Sequence, residues 1–486
     1  MRTVQDESLG PAEVLILAAA AAMAAAALAG PVLVIGAHVP RWINEGWNAY
    51  WSDAATGGGV LYPAPDRLVA NTYTPLSFYI VGWAGKLLGD NIVAGRIIAL
   101  AGLLVVVADI AAIVRCLTGN RFAAWLAALS FLIYAANEAP AYVAMNDPQW
   151  LGLAFSTTGA LVFLARRHRA HGLAWSALAC LLMLAGGLVK QNLIAWPLAV
   201  LIWTAWHERR QFALWLAVGG GVAAAFSVLA AVLYGSPFFA AILAAPRVLS
   251  LAKLIGDAEK WLPPLLPFLA IAVLVALRCG RDAGAQLVLL YAGIAALSGI
   301  GFLVGVGTSV NVLFDLFIGL FILAGLFADR LRQRLAAAAT RAVDAGILAA
   351  LILLLPLLPA AARAPLHGKW LVEQVRDGQS FWRASIRMLA EAPGPVACET
   401  PAACYWAHKP FEIDFFNLSQ KLKTGRMTDA SLLERLDRRS YAVLQLANDN
   451  TATVGSLLLP ERANLHIAAA YRIVAVGRDS MILTPR

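Results

Sequence analysis

The chain has 486 residues, of which 60% are hydrophobic and 14% charged, with a formal net charge of +9. Soluble domains run near about 45–50% apolar and about 25% charged, so this composition excludes a single water-soluble globule, a disordered chain and a small disulfide scaffold. A basic chain can bind nucleic acid, but here the positive charge sits in short clusters between apolar runs. That pattern sets membrane orientation and implies no nucleic-acid partner.

About 20 apolar residues are needed to cross the hydrocarbon core. Eleven apolar runs are read as spans, at 12–36, 92–115, 122–137, 148–165, 173–189, 193–206, 211–234, 263–278, 285–306, 310–328 and 341–360. The first is long and its flank carries Asp6, Glu7 and Glu13, which fits an anchor better than a cleaved signal. With the N-terminus inside, 14 of the 22 Lys/Arg before residue 361 fall on the inner side, from Arg2 and Arg115 to Arg334 and Arg341. Every short Arg cluster then lies on one face, as the positive-inside rule requires. Residues 75–88 are apolar but short, and are read as a helix in the outer interface within one long outer loop, 37–91.

Residues 361–486 carry 16 Lys/Arg and 12 Asp/Glu, a higher charge density than the preceding 360. The expected division is a membrane domain, 1–360, and a small outer α/β domain, 361–486. In the latter, 380–392 and 429–439 read as helices, and PVACE, YAVLQL, YRIVAVG and SMILTPR as strands. Cys398 and Cys404 lie in this outer part, where an oxidising compartment permits a disulfide. His408, Glu412 and Asp414 could contact an acceptor, but read more readily as solvated surface.

Polar residues at membrane depth are costly and therefore informative. Four groups fall on the outer side. The first loop combines Arg41, Asn44, Glu45, Trp47, Asn48, Tyr50, Trp51 and Asp53, then Asp66, Asn71 and Tyr73. Aromatic rings stack on sugar faces and amides bond hydroxyls, although an interfacial aromatic belt has the same composition. Asn146 and Asp147 precede Pro148, which reads equally as a helix cap or a catalytic site. Lys190 and Gln191 join two spans at the membrane surface, where a lipid phosphate would sit, and Arg96 opens the second span on the same side. Asn311 and Asp315, one helical turn apart, share a face at the outer end of the tenth span.

Taken together these motifs resemble the GT-C superfamily of membrane glycosyltransferases, in particular its bacterial family 39-like and aminoarabinose-transferase-like branch. The resemblance rests on the order and common sidedness of Asn44-Glu45-Gly46, Pro75-Leu76-Ser77-Phe78-Tyr79, Leu88-Gly89, Gly95-Arg96, Asn146-Asp147, Lys190-Gln191 and Gly307…Asn311…Asp315. Many relatives carry Asp-Glu in the first loop where this chain has Asn44-Glu45, which puts the first acidic role in doubt. The fold implied is a polytopic α-helical membrane protein of about 11 transmembrane helices, GT-C-like, with a small C-terminal extracytoplasmic α/β domain.

The resemblance implies a polyprenyl-phosphate sugar donor and a cell-envelope glycan, lipid or protein acceptor, at the outer face of a bacterial inner membrane. The outward-facing polar groups and the lack of a Gly-rich phosphate loop agree. Inverting transfer needs a base, cations for the departing phosphate and a held sugar. The base candidates are Glu45, Asp147 and Asp53, and the phosphate candidates Lys190 and Arg96. Asn48, Asn71, Tyr73, Asn146, Gln191, Asn311 and Asp315 would bind sugar or acceptor. No cofactor is demanded. A divalent metal fits where two carboxylates meet, but no spacing requires one. A transporter or lipid flippase would show an inverted repeat with midplane sites, which the sequence lacks. An O-antigen ligase or polymerase would rely on a large, late outer loop.

Overall fold

A computed structural model describes residues 9–337, 342–448 and 454–486. Arg2 and Arg341, which bear on orientation, and Asp6 and Glu7, which bear on the anchor reading, lie outside the described residues.

Helix α1 (Pro11–Leu33) leads into two helices of the first long loop, α2 (Ile43–Gly57) and α3 (Leu76–Leu88). At 13 residues, α3 is about 20 Å long and falls short of the bilayer core. Gly89, at φ +82°, ends α3, and the adjacent Asp90 caps α4 (Asn91–Thr118) through the Ile92 and Val93 amides. Glycine meets the left-handed turn and aspartate meets the orphan N–H groups, so two neighbours make the corner. The chain continues through α5 (Arg121–Glu138), a 3-10 turn (Pro140–Tyr142), α6 (Gln149–Arg166), α7 (Gly172–Val189), α8 (Ala195–His207), α9 (Arg209–Tyr234) and α10 (Ser236–Leu243). Next come α11 (Leu251–Cys279), α12 (Ala283–Leu303), α13 (Phe314–Ala337), α14 (Ala342–Leu354) and α15 (Leu358–Glu391).

Each of the eleven apolar runs coincides with helix. Eight helical stretches among the described residues are long and apolar enough to cross a membrane, including Val310–Leu335 and the continuous Asp344–Glu391. Helices α5, α6 and α8 fall short of that standard. Helix α8 falls short by its length of 13 residues, and α6 carries polar groups with a structural cause, since Thr157 and Thr158 donate to Asp109 of α4 at 2.7 and 2.8 Å. These groups face protein, so they lower the hydropathy without meeting lipid.

The core of the helical part is built around the segment Val310–Leu335, whose residues from Val310 to Asp329 are almost all buried. Phe314 stacks on Trp150 at 4.3 Å, and Phe317, Phe321, Tyr134 and Phe268 interlock beside it, in the offset and edge-on contacts that aromatic rings prefer. Helix α9, by contrast, buries only Gln211, Trp215 and Ala230 and presents an apolar flank outward. The arginine-bearing ends gather together: Arg332 pairs with Glu13 at 3.0 Å, Asn120 bonds Asp329 and Arg167 bonds Glu208.

The change from apolar to charged sequence near residue 360 occurs inside α15, which runs on unbroken to Glu391. Beyond it lie β1 (Val396–Cys398), α16 (Pro401–Trp406), α17 (Phe415–Lys423), α18 (Ala430–Asp437), β2 (Val443–Ala447), α19 (Glu461–Ala470), β3 (Tyr471–Val476) and β4 (Ser480–Pro485). The sheet order is β1-β2-β4-β3, with β1 parallel to β2 and the other pairs antiparallel. All four expected strands form, and a Cys398–Cys404 disulfide ties β1 to α16. Helices α16, α17 and α19 are additions to the sequence reading. The two parts approach closely at Gly46 of α2, since a side chain there would strike the Pro401–Ala402 backbone.

Candidate functional site

Glu45 sits in the first turn of α2 and Arg96 in the second turn of α4, and both side chains are fully buried. Arg96 donates through Nε and Nη2 to the two Glu45 oxygens at 2.7 Å each. Its other three N–H groups go to the carbonyls of Ile35, Ala37 and Val39. All five guanidinium donors are therefore used. Glu45 also accepts from the Arg41 and Asn146 amides. Burial pushes the Glu45 carboxyl up, but the Arg96 charge, its hydrogen bonds and Arg41 together hold it below its ordinary value. Two expectations change. Arg96 has no donor to offer a phosphate, and Glu45 has both oxygens engaged. The pair ties the first loop to α4.

Arg41 extends this scaffold. Its Nη1 donates to the Val143 and Ala144 carbonyls at 3.0 and 2.6 Å, and burial lowers its pKa to about 10. Ala144 has φ +51°, a left-handed conformation that costs a residue with a Cβ about 1–2 kcal/mol. Arg41 clamps that kink, which immediately precedes Asn146 and Asp147. Asn146 is fixed by bonds to Glu45 and Asn48 and packs over Gly95, where a side chain would collide with its Oδ1.

Asp147 is buried. Its Oδ1 accepts from the Gln149 amide at 2.9 Å, the expected capping bond, and from Lys190 Nζ at 3.1 Å. Its Oδ2 is buried with no partner. The amide oxygen of Asn48 and the hydroxyl of Ser77 are likewise buried and unpartnered, and all three residues line one small cavity. Buried acceptors left unpaired cost about 1–3 kcal/mol each, so the three atoms concentrate unused hydrogen-bonding capacity at one point.

Lys190 ends α7 with its Nζ 4.8 Å from the centre of the Tyr73 ring. Burial alone would lower its pKa, but Asp147 and Tyr73 raise it overall, so the amine stays charged. Gln191 donates to the Thr72 carbonyl while its Oε1 is buried and unpaired. Asn71 turns inward on its own loop, bonding Leu61 and the Tyr73 amide.

The remaining candidates stand elsewhere. Asp53 accepts from Asn91 at 2.6 Å, and its charged neighbours are Asp90, His408 and Lys86, not Lys190. Asp315 accepts from Tyr291 at 2.8 Å, and that ring stacks on Trp196. This is a helix–helix bond between α12 and α13. Asn311 is buried in the preceding 3-10 turn. Among the described residues, no three His, Cys, Asp or Glu side chains group as metal ligands.

Two residues escaped the sequence reading. Arg247, between α10 and α11, lies 5.0 Å from the Phe416 ring centre, with Nη1 buried and unpartnered. Burial lowers its pKa, with Tyr73 and Asp414 acting in the opposite direction. Tyr73 thus interacts electrostatically with two cations from different elements. Arg247 is one of only eight Lys/Arg outside the inner clusters of residues 1–360, and that sparseness was the available signal. Asp414, read as surface, is buried instead. It caps α17 and accepts from the Trp47 indole at 2.9 Å, which locks the C-terminal part onto the first loop. Burial raises its pKa.

No family model and no curated protein matches the sequence. Solved structures do. ArnT from Cupriavidus metallidurans, bound to undecaprenyl phosphate, is similar with TM-score 0.60 at 14% identity over 97% of both chains, and its apo form with TM-score 0.62 over the same shares. The oligosaccharyltransferase of Archaeoglobus fulgidus, tethered to an acceptor peptide, is similar with TM-score 0.57 at 11% identity, covering 89% of this chain and 68% of that one. Both are GT-C superfamily membrane glycosyltransferases. At these identities the likeness establishes the fold.

Proposed function

We propose that the chain is a membrane glycosyltransferase that moves a sugar from a polyprenyl-phosphate donor to a cell-envelope acceptor at the outer face of a bacterial inner membrane, with inversion. The observation that carries this reading is the Asp147 carboxylate, held at one oxygen by Lys190 and Gln149 and open at the other. The shared fold with a protein solved with undecaprenyl phosphate supports the donor class.

The acceptor hydroxyl oxygen attacks the anomeric carbon while the bond from that carbon to the phosphate oxygen breaks, its electron pair leaving with the phosphate. The acceptor proton passes to Asp147 Oδ2, a contribution of roughly 10²–10⁴-fold. The phosphate gains a negative charge as it departs, which Lys190 and Arg247 meet as fixed charge in a site shielded from water. Lys190 has three N–H groups and can serve Asp147 and phosphate together. Asn48, Asn146 and Gln191 hold hydroxyl groups, while Glu45, Arg96 and Arg41 hold the frame.

The test uses full-length protein in lipid nanodiscs with a panel of polyprenyl-phosphate monosaccharides and a cell-envelope extract. Wild type should release polyprenyl phosphate from one donor, and Asp147→Asn should lose that activity. Full activity of Asp147→Asn, or no turnover of any donor by wild type, would overturn the reading.

A further inference from the structure

At the ends of α11 and α13 remote from Lys190 and Asp147, a cavity of about 980 Å³ opens between the two helices. Arg278 and Arg281 line it from the end of α11, and Arg330 and Arg334 from the end of α13. One carboxylate, Asp282, faces these four guanidinium groups. It pairs with Arg330 at 3.6 Å and also caps α12. The side chains of Arg278, Arg281 and Arg334 have no ion pair or hydrogen bond with the described residues, and all three are exposed. Orientation by the positive-inside rule explains arginines near a membrane surface, but not their convergence from two helices on one concavity.

The cavity walls are apolar beside this basic end. Leu274 and Leu277, on the turns of α11 before the arginines, are 43% and 74% exposed and line the same cavity, as do Phe327 and Leu331 on α13. A free anion has no use for an apolar wall leading to a basic end, whereas a phospholipid has one part for each. Basic pockets between membrane helices bind anionic lipid head groups in this manner, and arginine suits phosphate through paired donors.

We propose that this cavity binds the phosphate head group of an anionic membrane lipid in the inner leaflet, with its acyl chains along Leu274 and Leu277. The site is separate from the sugar-transfer site and does not depend on that reading. It would anchor the inner ends of α11 and α13.

Native mass spectrometry of the delipidated full-length protein in uncharged detergent tests it, with added phosphatidylglycerol or phosphatidylcholine. Phosphatidylglycerol should bind and phosphatidylcholine should not. The variant Arg278→Ala/Arg281→Ala/Arg334→Ala should bind phosphatidylglycerol on the order of 100-fold more weakly. The matching Lys variant, which keeps the charge, should stay within about tenfold of wild type. Equal binding of both lipids, or an Ala variant that binds like wild type, would overturn the proposal. Inorganic phosphate that displaces the lipid at equal concentration would also overturn it, because a free anion would then be the ligand.

Discussion

Substitution of Arg96 separates a scaffold from a reacting group. In Arg96→Met the Glu45 carboxylate loses two bonds of 2.7 Å and three backbone carbonyls lose their donor. Removing one partner of a buried pair costs about 3–5 kcal/mol, and unsatisfied carbonyls add to this until the segment relaxes or admits water. Glu45→Gln leaves the guanidinium with a neutral partner and should cost less. In the double variant no buried charge is left unpaired, so its loss should fall short of the sum of the two by about 0.5–3 kcal/mol. The assay is denaturant unfolding of detergent-purified protein for all four forms, with sugar transfer measured well below each midpoint. The scaffold account predicts lower stability in each variant, coupling between them, and residual transfer by Glu45→Gln. Unchanged stability of Glu45→Gln together with loss of transfer would refute the reasoning and return Glu45 to the role of base.

Acid should act through the same pair. The Glu45 carboxyl is held below its ordinary value of 4.5, so its stabilisation is complete above about pH 4.5 and is lost as pH falls through the lower folded value. The melting temperature of Glu45→Gln should therefore vary less than that of wild type as pH drops from 5 to 3, and parallel curves would contradict this. Lys190→Ala and Arg247→Ala should each weaken undecaprenyl phosphate binding, seen by native mass spectrometry, more than they weaken acceptor binding; equal losses would remove their phosphate role. Serine at Cys398 and Cys404 together opens a loop with a sequence separation of six, a loss of about 2 kcal/mol by chain entropy. Limited proteolysis should cut the C-terminal part faster in that variant, and an unchanged rate would contradict the estimate.

The length of the apolar runs made most of the helices legible, because a membrane helix must be apolar along its length whatever it packs against. Helix α11 shows where this fails. It begins at Leu251, twelve residues before the apolar run, since Lys253, Asp257, Glu259 and Lys260 break the hydropathy while the backbone remains helical. The site was legible as a list of costly residues but not as a set of partners. Spacing marked Glu45, Arg96, Asp147 and Lys190 alike. Only three-dimensional contacts show that the first two satisfy each other completely while Asp147 retains an open oxygen. Arg247 and Asp414 meet the site across long stretches of chain, through a loop without periodicity and a domain read as surface, so no local pattern pointed to them.

The central claim places a lipid-borne phosphate between two cations at Tyr73. A cryo-electron microscopy map of the full-length protein in nanodiscs with undecaprenyl phosphate tests it most directly. The account predicts phosphate density within hydrogen-bonding reach of Lys190 Nζ and the Arg247 guanidinium, with the Arg96–Glu45 pair intact. Phosphate density elsewhere, or bonded to Arg96 with that pair broken, would contradict it.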